Sequence, residues 1–135
     1  MPAVVSSFLE DDLARRDFTI NAMAVSLNKD DLWRLVDFFG GKSDLAGKRI
    51  RVMHDKSFID DPTRIFRAVR FEQRFGFTIE DHTLRLMKSA ISNDMLGKVS
   101  KGRTQKEMIL INKEKNKAKM LERLERLNVW HYSTL

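Results

Sequence analysis

The sequence predicts an α+β chain, with a β-hairpin and helices over residues 1–60 and an all-helical segment over residues 61–135. Three observations carry that expectation. Two strand-like runs, Ala24-Val25-Ser26-Leu27 and Leu32-Trp33-Arg34-Leu35-Val36-Asp37-Phe38, flank the turn-forming cluster Asn28-Lys29-Asp30-Asp31. Asp61-Pro62 stands at the head of an apolar and basic run, where an aspartate caps and a proline fits the first helical position. From Glu80 onward the apolar residues recur at helical spacing.

Taken in order, Glu10, Asp11 and Asp12 precede Leu13, and acids are favourable near the positive end of a helix, which places a helix over about residues 11–24. The hairpin over residues 24–38 follows and is closed by Gly40-Gly41, after which Lys48-Arg49-Ile50-Arg51-Val52 reads as a third extended segment. The helix opened by Asp61-Pro62 runs to Phe75, with Gly76 as its C-terminal stop. Farther on, Leu84, Met87 and Ile91 share one face, and Leu121, Leu124 and Leu127 share another.

Composition narrows the function classes. The 135 residues contain no cysteine, which excludes a disulfide scaffold, a thiolate zinc site and a cysteine nucleophile, and fits a reducing cytoplasm. No apolar run approaches the roughly 20 residues needed to span a bilayer, so the chain reads as soluble, cytoplasmic and without a membrane partner. The net charge of +6 is unevenly placed: residues 1–60 carry 9 basic and 10 acidic groups, residues 61–135 carry 16 and 9. A basic second half points to a polyanionic partner such as nucleic acid, and equally describes solvated helix faces.

Several motifs fail on inspection. Gly41-Lys42-Ser43 resembles the end of a phosphate-binding loop, but the first glycine of that pattern falls on Val36. His54, His82 and His131 lack metal-ligand spacing, and no metal site is expected from them. Lys113, Lys115, Lys117 and Lys119 point to several helix faces and read as solvated, with weak phosphate contact as the other reading.

Two segments carry chemistry. Arg64, Arg67, Arg70 and Arg74 fall within an arc of roughly 120° on the helix after Pro62, while Ile65, Phe66 and Val69 point elsewhere. Such a stripe offers rigid guanidinium forks for phosphates or a base edge, and Asp61 adds an acceptor. A helix cap followed by surface arginines explains the same spacing. In Asp12-Leu13-Ala14-Arg15-Arg16-Asp17-Phe18-Thr19-Ile20-Asn21-Ala22-Met23-Ala24, Arg16 suits a phosphate and Asp17 a ribose hydroxyl. The same residues also describe a helix end with a capping Asp17.

Together, over about residues 2–112, these segments resemble the class II tRNA nucleotidyltransferase and bacterial poly(A) polymerase family. DLARRDFTINAMA resembles its RRDFTINA motif, LVDFFGGKSDLAGKRIRV its D-x-x-G-G-x-x-D-L region, and DDPTRIFRAVRFEQRFGF its E-D-x-x-R-x-x-R-A-x-R-F motif. Asp60 stands in place of the family's glutamate, and Gly102 replaces an acid where Ser100-Lys101-Gly102-Arg103 and the later Glu107 follow a family S-x-E-R pattern. The resemblance implies the latter part of a nucleotidyltransferase head, residues 1–60, and a helical neck, residues 61–135. It implies template-independent addition to an RNA 3′ end, tRNA in particular, with ATP and CTP as substrates and Mg²⁺ in the complete enzyme. Asp61 and Arg64 would pair with the base, Arg67 and Arg70 would assist nucleotide binding, and Arg16 and Asp17 would lie near phosphate and ribose. The family's glycine-rich loop and D-x-D metal carboxylates precede its RRD motif and have no counterpart in this sequence, so no catalytic or metal residue is assigned and the chain alone is expected to be inactive. Asp11, Asp12 and Asp17 read as caps rather than substitutes. An unpaired hairpin edge over residues 24–38 is expected to favour a homo-oligomer. The rival reading is a non-catalytic basic helical RNA-binding module.

Overall fold

The computed structural model describes residues 3–129; Pro2 and His131, used in the sequence reading, lie outside them. The first helix, α1, spans Ala3–Ala14, earlier than the spacing predicts. It stops because its last turn tightens, with Arg15 N bonded to Asp12 O and Arg16 N to Leu13 O, and because the aromatic and β-branched run Phe18-Thr19-Ile20 favours extended or tight-turn backbone. Thr19–Asn21 is a single 3-10 turn. Asp11 and Asp12 therefore sit within α1 and Asp17 beyond it, and none of them caps a helix start.

Strands β1 (Ala24–Val25) and β2 (Leu35–Val36) form the expected antiparallel hairpin, in the register Ala24 opposite Val36. Its turn is held by Ser26 Oγ donating to Asp31 and by Trp33 N donating to Ser26 O at 2.8 Å. Gly40, at φ 77°, turns the chain into α2 (Gly41–Ala46), whose first amides are capped by the Asp37 carboxylate. The expected third extended segment appears as β3 (Arg49–Ile50), and Val52 bridges Phe18. Its partner lies in the second half: β4 (Thr78–Ile79) pairs with β3 in parallel. The short helix α3 (Ser57–Asp60) leads into α4 (Arg64–Phe75), which ends at Gly76 with φ 65°, a left-handed geometry that glycine adopts without a Cβ clash.

After β4 come α5 (Asp81–Ser92), α6 (Lys101–Asn112) and α7 (Lys117–Arg126). Glu80 caps α5 through bonds from His82 N and Thr83 N, and Ser100 caps α6. Helices α6 and α7 part between residues 112 and 117, so Lys113 and Lys115 lie on a turn rather than on a helix face.

One core joins both halves: Phe18, Ile50, Val52 and Phe58 pack in a single cluster with Ile65, Phe66, Val69, Met87, Ile111, Met120 and Leu124. Ile65, Phe66 and Val69 are fully buried, as the α4 spacing predicts. Each half also carries an ionic contact on a buried carboxylate. Asp44 accepts from Thr19 Oγ1 at 2.6 Å and from Arg51 Nε at 3.0 Å, and Glu72 of α4 takes two bonds from Arg123 of α7. The outer face of the hairpin stays open, with Leu27 74% and Trp33 70% exposed. No helix among the described residues is long and apolar enough to cross a membrane.

Candidate nucleotide site

A cleft of about 530 Å³ opens where the loop after α1 meets the start of α4, and it is lined by Arg16, Asp17, Asn21, Asp61, Arg64, Arg67 and Phe71. Local geometry places each of them. On α4, Arg64 and Phe71 are seven residues apart and so nearly in line, and Arg67 is about 60° to one side. Arg70 falls about 120° from Arg64, which turns it out of the cleft and toward the bend after α6. There it is 8% exposed, 3.9 Å from Glu114, and stacks its guanidinium 5.1 Å from the centre of the Phe71 ring. Arg67 lies 5.1 Å from the same ring. Burial lowers the Arg70 pKa, and the Glu107 and Glu114 carboxylates oppose that effect. Five of the six residues expected at a nucleotide site thus share one cleft, and Arg70 stands behind it.

Asp17 is the cleft's inner clamp. Its Oδ2 accepts from Arg67 Nε at 2.6 Å, while Oδ1 accepts from Phe18 N at 2.8 Å and from Asn21 Nδ2 at 3.0 Å. Sequence reasoning reads Asp17 as a helix cap or a ribose acceptor; in the fold it joins the loop to α4. Arg16 projects from that loop, half-exposed, with a 3.5 Å contact to Asp12 and a 3.4 Å bond to Asn21 O. Arg64 is anchored on two backbone carbonyls, Ser57 O and Arg15 O, each at 3.1 Å, so its fork is fixed with no carboxylate among the described residues paired to it.

Asp61 caps the turn into α4: its Oδ1 accepts from Thr63 N at 3.1 Å and from Thr63 Oγ1 at 2.6 Å. The same oxygen takes a bond from Arg103 Nη2 at 2.9 Å, whereas Oδ2 accepts none among the described residues. Burial pushes the Asp61 carboxyl up, but the Thr63 hydrogen bonds and the Arg103 charge together outweigh it and hold the group below its usual range.

Asn21, Phe71 and Arg103 lie within the quoted motifs but carry no site role in the sequence reading. Asn21 and Phe71 had a local signal, one lying four residues after Asp17 and the other one α4 face-repeat after Arg64. Arg103 stands at the arginine of the S-x-E-R resemblance, but its role was not legible there, because its contact with Asp61 spans 42 residues. Among the described residues no group of three His, Asp or Glu side chains converges on a cation position. The buried carboxylates are already engaged: Asp17 by Arg67, Asp44 by Arg51 and Glu72 by Arg123. These residues do not fit a metal-holding carboxylate pair, and no chemical step through a metal ion is assigned to them.

The chain is similar to known proteins over most of its length. Residues 2–51 match the Poly A polymerase head domain. The A-adding tRNA nucleotidyltransferase of Geobacter sulfurreducens is 46% identical over 132 residues, covering 98% of this chain and 15% of that protein. The A-adding tRNA nucleotidyltransferase of Halalkalibacterium halodurans is 43% identical over 133 residues, covering 96% of this chain and 31% of its own. Among solved structures, a CCA-adding enzyme in complex with CTP superposes with a TM-score of 0.94 at 49% identity, over 97% of this chain and 31% of that one. The complex with ATP gives 0.92 at 48%, over 96% and 31%, and the Thermotoga maritima CCA-adding enzyme complexed with tRNA gives 0.89 at 49%, over 92% and 30%. The chain thus spans less than a third of the length of each of these proteins. Its likeness to these enzymes over nearly its whole length places the chain in the tRNA nucleotidyltransferase and poly(A) polymerase family.

Proposed function

We propose that the cleft holds the incoming ATP or CTP of a template-independent nucleotidyltransferase that extends an RNA 3′ end, tRNA in particular, in the cytoplasm. One observation carries this reading: Arg16, Asp17, Asp61, Arg64 and Arg67, drawn from two distant segments, converge on one cleft. The complexes of similar enzymes with CTP and with ATP support the choice of ligand.

In this reading the free Oδ2 of Asp61 accepts from the exocyclic amine of adenine or cytosine, and the fork of Arg64 donates to a ring nitrogen or carbonyl of the same base. Arg16 and Arg67 lie toward the phosphates, where guanidinium forks give charge-assisted bonds. Asp17 Oδ2 keeps a lone pair for a ribose hydroxyl beside its bond to Arg67. Arg70 acts from behind, through the Phe71 ring and Glu114. Residues 1–60 then form part of a head domain and residues 61–135 a neck. No Mg²⁺-holding carboxylate pair is assigned to the described residues, and in this reading the chain binds nucleotide without transferring it. The open hairpin edge is the surface through which two copies of the isolated chain associate.

Binding of ATP and CTP to the 135-residue chain tests the reading, with Arg64→Ala expected to lower both affinities at least tenfold. Incubation with labelled ATP or CTP, Mg²⁺ and tRNA lacking its 3′ end is expected to give no incorporation. RNA affinity that is strong and salt-dependent, with nucleotide affinity untouched by Arg64→Ala, would replace this reading with a basic helical RNA-binding module, a role to which the exposed Lys113 and Lys115 turn is suited.

A further inference from the structure

The first turn of helix α6 meets the cleft at Asp61, through Arg103. Ser100 caps it by accepting from Arg103 N at 3.3 Å, which fixes the direction in which Arg103 leaves the helix. From there Arg103 Nη2 bonds Asp61 Oδ1 at 2.9 Å and approaches Thr63 Oγ1 at 3.5 Å. Asp61 Oδ1 thus takes Thr63 N, Thr63 Oγ1 and Arg103, and its lone pairs are committed. The carboxylate cannot exchange its two oxygens without breaking three hydrogen bonds. One turn along α6, Glu107 lies half-buried, with an Oε2 that has no hydrogen-bond partner, in the field of Arg67, Arg70, Asp61 and Arg103.

We propose that Arg103 is a positioning residue for base selection: by pinning Oδ1 of Asp61 it leaves Oδ2 as the single acceptor presented to the base, so that amino-bearing bases are preferred over keto-bearing ones. The inference rests on the nucleotide reading of the cleft. Without Arg103 the Asp61 side chain turns more freely about its Thr63 bonds. It also loses a positive neighbour that keeps it ionised, since Arg103 is among the groups holding the Asp61 carboxyl below its usual range. A protonated Asp61 would donate to a keto oxygen as readily as it accepts from an amine. Discrimination falls first, and overall affinity falls less, because Arg16 and Arg67 are untouched.

The test is equilibrium binding of ATP, CTP, GTP and UTP to the 135-residue chain and to its Arg103→Ala, Arg103→Lys and Lys101→Ala variants, across a pH series. The wild type is expected to prefer ATP over GTP and CTP over UTP. Arg103→Ala is expected to reduce those ratios about tenfold and to move the acidic limit of binding to higher pH, because the Asp61 carboxyl rises when the cation leaves. Arg103→Lys, which restores a point charge without the fork, should recover the pH limit and only part of the ratio. Lys101→Ala, on the same exposed turn, should change neither. Full selectivity and an unmoved pH limit in Arg103→Ala would overturn the proposal alone, as would an equal loss of all four nucleotides. A wild-type chain that binds all four alike, or none, would instead overturn the nucleotide reading on which it rests.

Discussion

Replacing Asp17 with alanine removes three bonds from a buried carboxylate, and their separate costs follow from where each partner sits. The Phe18 amide is buried with its side chain fully enclosed, so losing its acceptor costs about 1–3 kcal/mol. The Arg67 bond, at 2.6 Å, is charge-assisted, but the arginine side chain is 32% exposed and recovers water, so about 1 kcal/mol is the fair share. The Asn21 bond adds a few tenths, because that amide is only part-buried. The total is about 3 kcal/mol, which for a chain of this length lowers Tm by about 10 °C. Asp17→Asn keeps an acceptor for the Phe18 amide and forfeits the charge, so its loss is about a third of that. Thermal unfolding of the two variants and of Arg67→Ala, combined as a double-mutant cycle, separates the ionic share from the share of the Phe18 amide. Asp17→Ala melting within about 3 °C of the wild type would refute the clamp. Asp17→Asn as damaging as Asp17→Ala would refute the division between amide and arginine.

Two glycines should respond in opposite directions. A Cβ at Gly41 would sit inside contact distance of the Thr19 carbonyl oxygen and 2.8 Å from Met23 Cγ, so Gly41→Ala should destabilise by about 1–3 kcal/mol. A Cβ at Gly102 meets nothing within 4 Å on a helical backbone, so Gly102→Ala should stabilise by about 0.5–1 kcal/mol; denaturant unfolding of both reads the sign. The pH dependence of stability should change in Glu107→Gln. Burial raises the Glu107 carboxyl in spite of Arg67 and Arg70, so its contribution is fully present below the ordinary carboxyl range and is lost as pH rises through the folded value. Glutamine mimics the protonated form, so the variant should melt above the wild type at neutral pH and level with it in acid. Asp61 and Glu80 titrate the other way, both being held low in the fold, and keep an acid-induced loss in either protein.

What could be read from the sequence was what neighbours in the chain decide. The α4 stop followed from Gly76, because a left-handed stop is a local event, whereas the start expected at Pro62 falls two residues later at Arg64, after a turn that Asp61 caps. The hairpin followed from two β-prone runs around Asn28-Lys29-Asp30-Asp31 for the same reason. The helix expected over residues 11–24 was misplaced because Asp17 bonds across 50 residues to Arg67, and that contact holds the chain in a turn where spacing alone permits a helix. Strand β4 was not anticipated, since Thr78-Ile79 is too short to signal by itself and exists through its pairing with β3. For the site, the arginine stripe gave the face but not the division of labour. A rotation of about 120° about the helix axis decides that Arg64 lines the cleft while Arg70 stands behind it beside Glu114, and that placement is set by burial of Ile65, Phe66 and Val69.

That dependence makes α4 both the core of the fold and the frame of the site. Ile65, Phe66, Ala68 and Val69 are fully buried on one side of the helix, and the cleft residues Arg64, Arg67 and Phe71 occupy the other. A change in core volume that rotated α4 by even 20° would carry a guanidinium on its long side chain through roughly 2 Å, enough to break a hydrogen bond at the cleft. The anchors on Arg64 oppose such a rotation from outside the core, since Ser57 O and Arg15 O hold it from two separate segments. The fold thus fixes the cleft twice, once by packing beneath the helix and once by backbone carbonyls above it. A nucleotide entering this cleft would meet arginines whose ordering cost has already been met in folding, which is the condition under which a few polar contacts can discriminate between bases.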